Sequence, residues 1–334
     1  MSDAAADGPF CTFHPKVPTL LSCTRCERPA CPDCLVPVSV GMQCTACVEA
    51  RSEATPNVAR ELTAHARRQR RPGWLFWAIT GVFVLFCVLV SQMSLFTVDT
   101  GDTILVDSSD WLRVSSFALV VSGWVVSLCL HEWAHAFVAY RSGDYSVLGR
   151  GYLTLDPRKY ADPIFSVALP IAFLILGGIG LPGGAVWIDH ANIRSRHRRA
   201  LVSLAGPVVN IVFGIVCIAI VSTGFLDATP ALKASLTYLG WLEFATAALN
   251  LLPVPGLDGY GIVEPYLPYG LRALINPIAN YAVIILLILM ISTSFGSFLF
   301  EIADASVEAM GRPAAEAQIG RFIGDVRVIG DVGL

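Results

Sequence analysis

His131, Glu132 and His135 stand as H-E-x-x-H inside a long apolar run, Ser115 to Tyr140. On a helix, residues four apart lie one above the other on one face. His131 and His135 can therefore grip one metal ion, with Glu132 beside it. Ionisable groups in so apolar a segment are costly to bury and mark a functional site. One buried histidine alone reads as a hydrogen-bonded core residue. Two at i and i+4 around a glutamate read as a zinc site. A catalytic zinc takes three protein ligands and keeps a position for water, so a third ligand is expected elsewhere in an apolar context.

Asn250 to Tyr260 reads N-L-L-P-V-P-G-L-D-G-Y and follows an apolar segment, Ala234 to Leu252. Two prolines break the helix there, which places Asp258 on unwound backbone at about the depth of the two histidines. Asp258 is the natural third ligand, although an Asp in such a run also suits a plain turn. Glu243, three turns before Pro253, is a rival carboxylate. His190 and His197 are spare candidates, but their loop is charged and they read as solvated.

The elements that must position these residues are membrane spans. Of 334 residues, 54% are hydrophobic and only 15% charged, against about 25% charged in soluble domains. The mean hydropathy is +0.62. The net charge of -3 gives no support to nucleic-acid binding. Met1 to Pro9 is polar and acidic, and no cleavable signal peptide is expected. Gly73 to Phe96 is a first span, preceded by Arg67, Arg68, Arg70 and Arg71. The positive-inside rule then puts its amino end in the cytoplasm. Thr97 to Trp111, with four Asp and no Lys or Arg, reads as an external loop. Val114 to Tyr140 returns to the cytoplasm, and His131 falls about 15 Å from that end at about 1.5 Å per residue. Gly149 to Asp162 reads as polar and partly β-like. Pro163 to Ile188 is apolar but broken by Pro170 and a glycine-rich turn, and basic residues lie at both ends. It reads as re-entrant, since 26 residues are too few for two spans of about 20 each. Leu201 to Phe225 and Ala234 to Leu252 are further spans, and Ala205-Gly206-Pro207 permits close packing. Pro265 to Leu274 is interfacial, Asn276 to Phe300 is the last span, and the tail looks amphipathic and then loosely structured. The fold class is an all-α polytopic membrane protein of about five spans plus a re-entrant segment. Its parts are a zinc-binding module (1–50), a basic linker (51–72), a membrane domain (73–300) and a tail (301–334).

The module carries a second chemistry. Cys11/His14, Cys23/Cys26, Cys31/Cys34 and Cys44/Cys47 form four pairs, each with two residues between. Eight such ligands in 37 positions suffice for two tetrahedral zinc ions. About 40 residues cannot bury enough surface to fold alone, so metal would supply the folding energy. A disulfide knot is the other reading, but it needs an oxidising compartment and has no use for His14. The pairing is open. The interleaved arrangement is preferred, with Cys11, His14, Cys31 and Cys34 on one ion and Cys23, Cys26, Cys44 and Cys47 on the other. The pattern resembles the B-box-type zinc fingers ahead of some bacterial rhomboid proteases, which implies a module that binds a protein partner.

H-E-x-x-H at 131–135, A-G-P-x-x-N at 205–210, N-x-x-P-x-P-x-L-D-G at 250–259 and Pro182-Gly183-Gly184 together resemble the site-2 proteases, zinc intramembrane metalloproteases. The likeness covers roughly Trp74 to Phe300 and is greatest to the bacterial branch without a PDZ domain. It implies that His131, His135 and Asp258 bind zinc and that Glu132 is the general base for the attacking water. It further implies that Asn250 holds the substrate strand or polarises its carbonyl, and that Pro182, Gly183 and Gly184 lie beside the substrate. The resemblance points to a multi-pass protein of the bacterial plasma membrane. Its substrates would be single-span proteins such as anti-sigma factors or remnant signal peptides. The alternative is a metal transporter or sensor using the same ligands. Transporters tend to show internal repeats; none is found, and Glu132 would have no clear task.

Overall fold

The computed structural model describes residues 9–37, 42–48, 72–93, 96–99, 104–107, 109–159, 188–189, 192–193, 195–268, 270–275, 277, 281, 285–286, 288 and 295–325. The linker residues 51–71, the body of the expected re-entrant segment (163–187) with Pro182, Gly183 and Gly184, and His190 lie outside them. The chain divides into two compact units, Met1–Arg68 and Gln69–Leu334.

The first unit is a small knot. Strand β1 (Leu35–Pro37) pairs antiparallel with β2 (Met42–Cys44), with Leu35 opposite Cys44. A single 3-10 turn, Pro32–Cys34, precedes β1. The buried residues are Cys11, Cys23, Ala30, Cys31, Cys34, Leu35 and Cys44. A core made mostly of thiols has little apolar area with which to oppose chain entropy, so its ligand groups must hold it together.

The second unit is helical. α1 (Trp74–Ser91) contains no charged residue, and only 11% of its apolar stretch is buried within the protein. Its exposed Val84, Leu85 and Val88 suit lipid rather than water. In the region of the expected external loop, β3 (Phe96–Asp99) pairs antiparallel with β4 (Ile104–Asp107). The loop ends earlier than expected because α2 (Asp110–Ser142) begins at Asp110. Ser109 caps α2 by accepting a hydrogen bond from the Leu112 N–H at 3.2 Å, and Gly143 ends it with φ +114°. At 33 residues, α2 is about 50 Å long and overshoots a hydrocarbon core of about 30 Å. It is also the central helix, with 61% of its apolar stretch buried.

α3 (Arg196–Ser222) is capped by Ser195 and carries Pro207 inside. α4 (Pro230–Asn250) starts with Pro230 in its first turn, where the missing N–H costs nothing. Nearly every residue of α4 is buried. Between helices in lipid, association rests on close packing and polar contacts rather than on removal from water. Glycines permit the close approach. A Cβ at Gly123 of α2 would come 2.6 Å from Leu239 Cδ2 of α4, and one at Gly214 of α3 would meet the Gly240 carbonyl of α4 at 3.1 Å. Among the described residues, α1, α2 and α3 are long and apolar enough to cross a membrane.

Three expectations are corrected. The stretch after α2 is not β-like: its described part forms helical turns at Ser146–Gly149, Tyr152–Thr154 and Pro157–Lys159. Asp258 is not on unwound backbone but opens the short helix α5 (Asp258–Val263). The described part of the tail, to residue 325, is helical rather than loose, as α6 (Phe295–Ala309), which runs through Phe300, and α7 (Ala314–Ile323). Both pack on α4. Trp241 of α4 packs against the Tyr238 and Phe300 rings and donates to Asp304 Oδ1 at 2.7 Å. Arg113 of α2 donates to the Phe322 carbonyl at 3.3 Å and lies over the Phe322 ring.

Candidate metal centres

Ser127, His131 and His135 follow each other at four-residue steps on α2 and so share one face. The ring orientations of both histidines are fixed from outside the helix. His135 Nδ1 donates to the Val202 carbonyl at 2.6 Å, in the turn of α3 that precedes Pro207. His131 Nδ1 donates to Asn210 Oδ1 at 2.5 Å. With both protons on Nδ1, both Nε2 lone pairs point the other way. The two Nε2 atoms are 3.1 Å apart. Asp258 completes the group: Oδ2 lies 3.2 Å from His131 Nε2, and Oδ1 lies 3.2 Å from His135 Nε2.

Two nitrogen or oxygen ligands on one tetrahedral zinc stand about 3.3 Å apart, given bonds of about 2.0–2.1 Å. The triangle formed by His131, His135 and Asp258 has that size. Its chemistry also asks for a cation. Two imidazole lone pairs and a carboxylate converge in a space where His131 and His135 are each 6% exposed, and buried acceptors facing each other repel unless something positive lies between them. The donor set therefore fits zinc.

Backbone shape brings Asp258 there. After α4 the chain turns at Leu251 to Leu257, with Leu257 N–H bonded to the Val254 carbonyl and Gly256 at φ +94°. The next turn packs so tightly that a Cβ at Gly259 would overlap the Leu251 carbonyl. The L-D-G order is thus a packing requirement as well as a ligand position.

The rival carboxylate has another partner set. Glu243, fully buried on α4, accepts from Ser127 Oγ and from Asn210 Nδ2, both at 2.6 Å. It faces the back of His131 rather than the triangle. Asn210 and Gly206 belong to the A-G-P-x-x-N motif at 205–210, but sequence reasoning gave neither of them a place at the metal site. A Cβ at Gly206 would come 2.5 Å from His131 Nε2 and overlap His135 Nε2. The signal for Asn210 was present: an amide in an apolar span needs a partner. For Gly206, only the three-dimensional approach of α3 to α2 shows why a side chain is excluded.

In the first unit, Cys11, His14, Cys31 and Cys34 come together, as do Cys23, Cys26, Cys44 and Cys47. The contacts include Cys11 Sγ to Cys34 Sγ at 3.9 Å, His14 Nδ1 to Cys31 Sγ at 3.3 Å and Cys26 Sγ to Cys44 Sγ at 3.8 Å. Two thiolates on one tetrahedral zinc stand about 3.8 Å apart, given Zn–S bonds of about 2.3 Å. A disulfide needs about 2.05 Å, and none of the ten cysteines is joined to another in a disulfide.

The chain resembles the protein named "Putative zinc metalloprotease Rip2" in Mycobacterium tuberculosis, with 42% identity over 210 residues, 62% of this chain and 81% of the relative. The chain belongs to the site-2 protease family. The Rip2 protein of Mycolicibacterium smegmatis is 41% identical over 63% of this chain and 82% of its own length. "Putative zinc metalloprotease YwhC" of Bacillus subtilis is 33% identical over 52% of this chain and 80% of its own length. No family model and no solved structure matches the chain.

In this site-2 protease, Glu132 is 3% exposed and follows His131 on α2, while Asn250 is buried at the last turn of α4. His197 stands apart from the triangle, with Nδ1 2.8 Å from the Tyr266 hydroxyl at the surface. The segment leaving α2 is pinned by two carboxylates. Asp144 accepts from the Ser146 N–H and, through Oδ2, from the Asp189 N–H at 2.8 Å. The Arg158 guanidinium beside Asp156 holds that carboxyl below the usual carboxylate range.

Proposed function

We propose that this protease hydrolyses peptide bonds within or near the transmembrane segments of single-span membrane proteins, using one zinc held by His131, His135 and Asp258. The observation that carries the reading is the triangle of three lone-pair donors, two buried histidines and a partly exposed Asp258, with Glu132 at the adjoining helix position. Bound there, zinc would polarise a carbonyl and lower the pKa of a water toward about 7. His131 and His135 present Nε2, and Asp258 adds negative charge, so the binding groups are oriented before substrate arrives. Glu132 takes the proton of the attacking water and passes it to the leaving amine. Asn250 holds the substrate strand or its carbonyl. A helical substrate hides its carbonyls, so the scissile region must be extended, and a return strand near Pro182, Gly183 and Gly184 would offer it backbone pairing.

The multi-pass arrangement has a cytoplasmic amino terminus, supported by the arginine run 67–71 and by the basic residues after α2. That places the cysteine module in a reducing compartment, where its two clusters hold two structural zinc ions and serve a protein partner. Substrates of the anti-sigma-factor or remnant-signal-peptide kind fit this topology. The transporter reading leaves Glu132 without a task. Replacing Glu132 with Gln and presenting a single-span substrate in liposomes tests the proposal. Zinc content should persist and cleavage should vanish; a variant that still cuts would refute it.

A further inference from the structure

His131 and His135 are oriented by different devices. The Val202 carbonyl can only accept, so it leaves His135 one neutral tautomer. Asn210 is a primary amide, and either end of it could face His131 Nδ1. If its NH2 faced the ring, Nδ1 would have to be the bare nitrogen, and the proton would move to Nε2, where the metal belongs. Something must choose the direction of this amide.

Glu243 makes the choice. Its Oε2 lies 2.6 Å from Asn210 Nδ2 and receives the Ser127 hydroxyl as well, so this oxygen accepts whether or not Oε1 carries a proton, and the amide turns its NH2 toward α4 and its oxygen toward His131. Ser127, one turn before His131, donates to the same oxygen at 2.6 Å and holds it in place. The chain of bonds runs from α4 through α3 to α2, and each member is at most 3% exposed except His131 at 6%. Water cannot substitute for any of them without entering this space. Groups hydrogen-bonded behind a metal-ligating histidine set its tautomer, and losing them typically costs about 10–100-fold in metal affinity or activity.

We propose that Glu243 is a positioning residue. Through the amide direction of Asn210 it locks His131 in the Nδ1–H tautomer that leaves Nε2 free for the metal. The inference rests on the zinc reading of the triangle for its consequence, but the tautomer itself can be read without metal or substrate.

The test uses the full-length protein labelled with 15N-histidine. Ring-nitrogen chemical shifts of the chelator-treated protein assign the protonated nitrogen of His131, with His131→Asn identifying the signal. Zinc retention against a competing chelator and cleavage of a membrane substrate are measured alongside. Glu243→Leu removes the acceptor; the Nδ1–H signal of His131 should be lost or mixed, and zinc at this site should be released about 10–100-fold more readily. Glu243→Gln keeps an acceptor oxygen for Asn210 and should keep the tautomer. The pair Asn210→Asp with Glu243→Gln reverses the donor order between positions 210 and 243 yet still offers His131 only an acceptor, so it should also retain Nδ1–H. The two near-isosteric variants decide the matter if the leucine variant does not fold. A wild-type tautomer in Glu243→Leu would overturn the proposal. So would loss of that tautomer in the Asn210→Asp, Glu243→Gln pair. If the tautomer follows this order while no variant cuts any membrane substrate, the protease reading fails and the positioning role stands.

Discussion

Gly206→Ala puts one methyl group into the metal site from the back of α3. The new carbon would sit 2.5 Å from His131 Nε2 and 2.6 Å from its Cε1, and would overlap His135 Nε2. Comfortable non-bonded separations are about 3.5–4.0 Å, so one or both rings must retreat by about 1 Å. Metal sites tolerate ligand displacements of about 0.2 Å, and a misplacement of about 1 Å costs on the order of 100-fold in rate. That corresponds to about 2.7 kcal/mol of lost transition-state stabilisation. The direction is opposite to the ordinary helix effect, in which Ala is favoured over Gly by about 1 kcal/mol. Gly81→Ala on lipid-facing α1, where nothing lies within 4 Å of the new carbon, is the matched control. Zinc per chain, cleavage of a reconstituted single-span substrate and the melting temperature in detergent should be compared. Gly206→Ala should lose one zinc equivalent and at least about 100-fold in kcat/KM, while Gly81→Ala changes neither. Normal zinc content and activity in Gly206→Ala would mean that the triangle is not where the metal sits.

Asp258→Asn, which weakens the third ligand, should lower zinc content by one equivalent without unfolding the bundle, whereas Glu243→Gln should not; elemental analysis of purified protein reads both. Cys23→Ser should cost one zinc of the first unit and sensitise that unit to proteolysis, yet leave peptide hydrolysis in the membrane unit unchanged. Asp304→Ala leaves the buried Trp241 Nε1–H without its acceptor and should destabilise the α4–α6 contact by about 1–3 kcal/mol, visible as a lower melting temperature. Asp156 has a folded-state pKa below its unfolded value, chiefly through its hydrogen bond to Arg158. Its contribution is therefore fully present above the unfolded carboxylate pKa of about 3.9 and is lost as pH falls through the folded value. Asp156→Asn should accordingly lower the melting temperature at pH 7 but make little difference under strongly acidic conditions.

The sequence by itself determined the parts of this protease that depend on neighbours along the chain. The four-residue step puts His131 and His135 on one helix face whatever surrounds them. Cysteine pairs two residues apart converge wherever the chain goes, and apolar runs of span length announce the membrane. It also named Asp258, by depth. Depth counting favoured Asp258 over Glu243, three turns before Pro253, but could not say which of the two carboxylates turns toward the histidines of α2. Only the tertiary structure decided it: the turn from Leu251 to Leu257 swings Asp258 onto the Nε2 side of the histidines, while Glu243 meets Ser127 and Asn210 behind them. The same holds for Gly206, whose missing side chain matters because α3 crosses α2 at that residue. It holds also for the tail, whose α6 and α7 are secured by Trp241, Asp304 and Arg113 from distant parts of the chain. Helical period is written into consecutive residues; the meeting of helices is a long-range outcome of packing, and no local pattern records it.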